Sequence, residues 1–165
     1  MQKLNRQFGE MVQLATEDNG EVFYIEKIDS THIIRIVSEI GSRLPMHCCG
    51  LGKAMLAYMS PSDVKLVLNR SGMPMMTRYT ITDPDVMEME LAKIRAQGFA
   101  MDDQEIMEGL RCIAVPIFDA NENVKYAISI AAIADRLVGD YFEKVKHSIV
   151  MAASEISHSL GYKKR

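Results

Sequence analysis

The sequence predicts an α+β domain, with one mixed or antiparallel sheet flanked by helices. Strand-like runs rich in β-branched residues lie near both ends of the chain, segments of helical period occupy the middle, and a long amphipathic stretch closes it. With 165 residues and 48% hydrophobic content, the chain has enough apolar side chains to bury one core.

Taken in order, residues 1–8 are polar and helix-compatible without a pattern of their own, and read as the tail of a preceding unit. Residues 11–16 and 21–28 are strand-like and flank Glu17-Asp18-Asn19-Gly20, where Asn-Gly supplies the positive φ angles of a hairpin turn. Residues 31–37, rich in β-branched side chains, predict a third consecutive antiparallel strand. Gly41 and Pro45 then break the pattern. Leu51, Ala54, Met55 and Tyr58 recur at helical spacing, so a helix begins near Gly50. Ser60-Pro61-Ser62-Asp63 starts another: serine caps it, proline occupies the first turn, Val64, Val67 and Leu68 form its inward stripe and Gly72 ends it. Residues 72–80 are a loop. Thr82-Asp83-Pro84 repeats the start signal for a helix with Met87, Leu91 and Ile94 inward and Gly98 as its stop.

Residues 99–101 form a short strand leading into the acidic Asp102-Asp103-Gln104-Glu105. Residues 112–118 and 124–132 are strands joined by the turn-prone Asp119-Ala120-Asn121-Glu122-Asn123, with Pro116 suited to an edge or a bulge. From Asp140 onward, Phe142, Val145, Ile149, Ala153, Ile156 and Leu160 trace one face of a final helix that Gly161 closes ahead of a basic tail.

A net charge of −3 argues against nucleic-acid binding by this chain alone, which calls for a basic surface. Three cysteines, two of them adjacent, make no disulfide framework, and no apolar run is long enough for a membrane span. The setting expected is soluble and cytoplasmic, with no membrane partner. Thirteen methionines and no tryptophan suit a core or pocket with an adaptable lining.

Two stretches carry the functional signal. Around Gly50 and Gly52 a strand passes into a helix whose first N–H groups have no partner within the helix. Such an end attracts anions, although glycines there also satisfy the backbone of a tight turn. In the late strand pair, alternation sorts bulky Ile113, Val115, Ile117, Ile128 and Ile130 to one face and small Cys112, Ala114, Ala127, Ser129 and Ala131 to the other. A face of small residues leaves room either for a packed helix or for a ligand.

These residues carry a resemblance. Arg43-Leu44-Pro45-Met46-His47, then Gly50-Leu51-Gly52-Lys53-Ala54-Met55-Leu56-Ala57, then Glu108-Gly109-Leu110-Arg111-Cys112-Ile113-Ala114-Val115-Pro116-Ile117-Phe118-Asp119 and Ala127-Ile128-Ser129-Ile130 occur in an order that resembles the C-terminal, effector-binding domain of IclR-family bacterial transcriptional regulators. The resemblance implies a GAF-like fold, a central mostly antiparallel sheet flanked by helices, with residues 1–10 as the end of a linker helix and 11–165 as the effector-binding domain. It implies a sensor that binds a small carboxylate-containing effector of keto-acid or sugar-acid type and allosterically controls a winged helix-turn-helix outside these residues. DNA would be touched only through that segment, and the domain would act as a homodimer or homotetramer.

The ligand contacts implied by the resemblance are the backbone of Gly50 and Leu51, the side chains of Asp102, Cys112 and Ser129, and apolar walls at Ile36 and Leu110. Members that bind the smallest keto acids tend to carry a second serine where this chain has Ala131, which favours a larger or less uniformly polar guest. No catalytic residue, cofactor or metal is implied. The alternative is a cysteine-dependent small-molecule hydrolase, with Cys112 as nucleophile, His47 as base and the Gly50 and Leu51 amides as oxyanion site. His47, Cys48 and Cys49 lack the Cys-x-x-Cys spacing of a metal site.

Overall fold

The computed structural model describes residues 1–36 and 38–163. Six strands, β1 (Met11–Asp18), β2 (Glu21–Ile28), β3 (Arg43–Pro45), β4 (Ala100–Asp103), β5 (Leu110–Phe118) and β6 (Val124–Ile133), form one antiparallel sheet in the order β3-β2-β1-β6-β5-β4. The helices are α1 (Gln2–Phe8), α2 (Gly50–Leu56), α3 (Pro61–Ser71), α4 (Pro84–Gln97) and α5 (Gly139–Ser159). This is the α+β class read from the sequence.

Local chemistry explains the boundaries. Asn19 and Gly20 take φ of 57° and 84°, the two positive angles that close a two-residue hairpin between β1 and β2. Ser60 Oγ accepts from Asp63 N–H at 3.2 Å, and Asp83 Oδ1 accepts from Asp85 and Val86 N–H at 2.8 and 3.2 Å, capping α3 and α4. Pro116 lies beyond the last residue of β5 paired with β4, so on that side of the strand no ladder bond is asked of it.

The sheet separates two apolar clusters. On one side α5 lays Val145, Ile149 and Ala153 over Ile113, Val115, Ile117, Ile128 and Ile130. On the other, α2 rests on Cys112, Ala114, Ala127 and Ala131, and α4 packs Met87, Leu91 and Ile94 into the same layer. Helix α3 covers that layer from outside. Its Val64, Val67 and Leu68 face inward against that layer and are half-buried.

Residues 31–36 depart from the predicted third strand; Val37 lies outside the described residues. The chain turns away from β2 where Ser30 Oγ and Thr31 N–H donate to the Gly9 carbonyl at 2.9 and 2.8 Å, and Ile33 is left fully exposed. The place beside β2 goes instead to β3, paired from Phe23↔Arg43 to Glu21↔Pro45. β-Branched composition without a neighbour to pair with does not make a strand. Strand β4 also runs two residues past its predicted end, taking Asp102 and Asp103 into the ladder opposite Cys112 and Arg111.

Candidate functional site

A cavity of about 190 Å³ lies between the small-residue face of the sheet, the start of α2 and the segment ahead of β3. Its walls include Ile36, Gly50, Leu51, Asp102, Leu110 and Cys112, six of the seven residues marked by the sequence. Ser129 is outside the wall, beside Gln13 as its register partner on the same face of the sheet. It is fully buried, and its hydroxyl donates to Gln13 Oε1 at 3.2 Å while Gln13 Nε2 donates to Ser38 Oγ at 2.9 Å. Ser129 therefore orients Gln13, and Gln13 and Ser38 are among the polar groups in the wall.

The two glycines owe their place to close approach. A Cβ on Gly50 would lie 3.0 Å from Cys112 Sγ and 3.3 Å from Ala114 Cβ, and one on Gly52 only 2.3 Å from the Met46 carbonyl oxygen. Small residues on the sheet and glycine on the helix thus bring the start of α2 down onto β5. No side chain caps α2, and among the described residues no acceptor reaches the Gly50 or Leu51 N–H. Over the small-residue face, α2 covers one part and the cavity the rest.

Asp102 supplies the cavity's carboxyl group. Its Oδ1 accepts from Glu105 N–H at 2.7 Å and Ile106 N–H at 3.4 Å, folding residues 102–106 into a turn that carries Ile106 and Met107 to the wall. Burial, reinforced by the nearby Glu105 charge, pushes Asp102 up to about 7. The turn is fastened from outside. Lys53 on α2, only 1% exposed, pairs with Glu105 and lies 3.8 Å from Glu90 on α4. The Thr77 and Thr80 hydroxyls donate to the Gln104 and Glu105 carbonyls at 2.7 and 2.6 Å.

The hydrolase alternative finds no support in this geometry. His47 is buried with Nε2 3.0 Å from the Pro74 carbonyl, its Nδ1 has no partner, and burial lowers its basicity. Cys112 is also pushed up by burial, which keeps it a thiol. Cys48, pushed up to about 12, is equally unreactive.

Sequence reasoning missed Gln13, Tyr24, Ser38, Ser42, Leu44 and Cys49 in the wall. One signal was present: Gln13 falls between Met11 and Ala15 on the inward register of β1, where a polar side chain needs a buried partner. A larger groove of about 980 Å³ runs between α1, β2 and α5. It is open to solvent and holds none of the marked residues.

The model of a known family, "Bacterial transcriptional regulator IclR C-terminal", matches residues 1–158. The chain is 34% identical over 163 residues to the transcriptional repressor IclR of Escherichia coli K12, covering 98% of this chain and 60% of that protein. The structure of Thermotoga maritima IclR superposes with a TM-score of 0.92 at 33% identity, over 97% of this chain and 65% of that one. The C-terminal domain of E. coli KdgR superposes with a TM-score of 0.89 at 33% identity, over 98% and 94%. The chain thus spans about 60% of the length of the curated relatives it matches.

Proposed function

This chain belongs to the IclR family of bacterial transcriptional regulators, as their non-enzymatic C-terminal domain, and from that premise we propose that its cavity senses a small carboxylate-containing metabolite of keto-acid or sugar-acid type. The convergence of the Gly50 and Leu51 amides, the Asp102 carboxyl and a floor of small side chains on one cavity carries this reading. The amides favour an anion, and Gln13 and Ser38 offer hydrogen bonds to carbonyl or hydroxyl groups. A cavity of about 150 Å³ holds a benzene ring. At about 190 Å³ this one suits a guest larger than a two- or three-carbon acid, in keeping with Ala131 in its wall.

Occupancy would be passed on by a short route. Helix α1 is joined to β1 by Gly9 and Glu10 alone, and Gln13 is the third residue of β1. The segment bearing Ile36 and Ser38 starts from hydrogen bonds to the same Gly9. A guest touching both arms therefore bears on the end of α1. We read α1 as the end of a linker toward a winged helix-turn-helix, and the domain as a cytoplasmic homodimer or homotetramer that allosterically shifts DNA affinity by favouring one conformation.

Saturable thermal stabilisation by an organic acid, without turnover, tests this reading; at a hundred times Kd the gain is about 2.7 kcal/mol. Asp102→Ala is expected to abolish that gain in a domain that still folds, and an unchanged gain would place the ligand elsewhere.

A further inference from the structure

Among the described residues, the walls of the cavity hold no cationic side chain; their ionisable groups are Asp102, Tyr24, Cys49 and Cys112. An anion entering this space meets backbone N–H groups and, directly, a carboxyl. Two carboxylates sharing one desolvated site do not both stay ionised, so one of them takes a proton. Asp102 is 1% exposed, and its Oδ1 is committed to the Glu105 and Ile106 N–H groups. Among the described residues no protein group donates to Oδ2, which is left for the guest.

We infer that Asp102 enters the complex as a neutral carboxylic acid whose Oδ2–H donates to a carboxylate oxygen of the effector, so that wherever free Asp102 is ionised each anion bound brings one proton from solvent. This rests on the cavity being the effector site. It makes Asp102 a determinant of specificity, matched to an acid rather than to a neutral polyol, for which an ionised carboxylate would be the better acceptor.

The groups facing Asp102 favour that state. Cys112 from β5, Cys48 and Cys49 ahead of α2 and Tyr24 from β2 are all held neutral, raised chiefly by burial. Glu105 in the adjoining turn opposes a second negative charge, and Lys53 on α2, the nearby cation, is engaged by Glu105. The Asp102 carboxyl itself is pushed up to about 7, so its acid form is accessible at neutral pH.

Calorimetric titration with 2-oxobutyrate, 2-oxovalerate and gluconate, each in two buffers of different ionisation heat, reads the proton directly. The wild-type domain is expected to take up almost none at about pH 6 and close to one per anion at about pH 8.5, with affinity falling about tenfold per pH unit above 7. Asp102→Asn keeps a donor in place and is expected to bind the same acid with no uptake and a flat pH profile. Tight binding by the wild type with no uptake at about pH 8.5, together with weakened binding by Asp102→Asn, overturns the neutral-acid assignment and leaves the cavity reading intact. Binding indifferent both to Asp102→Asn and to a cavity-filling Ala131→Leu, or no binding of any of the three acids, overturns the cavity reading and the inference with it.

Discussion

The two faces of the β5–β6 pair are made by the same nineteen residues of backbone and solve opposite problems. Toward α5, isoleucine and valine fill the space themselves, and the buried Glu10 nearby is paired with Arg136. Toward α2, small side chains cede the space, first to a helix that glycine lets come close and then to a cavity. Only this second side buries Asp102, Lys53 and Glu105. The difference teaches that one strand pair can hold the fold with one face and host a guest with the other, and mutations should divide along the same line.

The sharpest way to break that division is at the charged side. Lys53→Met strands Glu105 in the interior and is expected to cost about 3–5 kcal/mol in urea unfolding, most of it recovered when Glu105→Gln is added. On the other face, Ile130→Ala opens a hole under α5 and should cost about 2–5 kcal/mol, while calorimetric affinity for an effector stays as in the wild type. A large loss of affinity there would mean that the faces are not independent.

The pH dependence of stability sharpens the contrast further. Asp102 is held above its unfolded value, so the folded state binds its proton more tightly and stability falls as pH rises from about 4 to about 7. Glu105, likewise raised by burial, adds to that slope. His47, lowered by burial, works the other way, and its share is lost as pH falls below about 6.5. Asp102→Asn should therefore flatten the fall between pH 4 and 7, with a relative gain on the order of 2 kcal/mol at neutral pH. An unchanged slope in urea titrations across that range would contradict the burial of an ionisable Asp102.

Local signals in the sequence were legible wherever one short stretch decides the structure. Ser60 and Asp83 cap helices as their neighbours require, Asn19-Gly20 closes a hairpin, and strict alternation in 112–118 sorts the two faces. Residues 31–37 misled because β-branched composition says nothing about which strand claims the edge of β2. Gln13 and Ser129 are 116 positions apart, and Lys53 and Glu105 are 52 apart, so no window along the chain contains either pair. Lys53 still left a trace: every residue of α2 is buried, so a lysine among them must find a partner inside. The part of the site drawn from adjacent residues was legible, and the part that depends on pairing across the fold was not.

The central claim, that the small-residue face with the start of α2 forms an effector site, is tested most directly by filling it. Ala131 lies in the cavity wall, and leucine there extends into free space at a cost of about 1–3 kcal/mol or less. Calorimetric titration of 2-oxobutyrate or gluconate into the wild type and into Ala131→Leu is the measurement. The account predicts saturable one-to-one binding to the first and none to an equally folded second; equal affinity in both would contradict it.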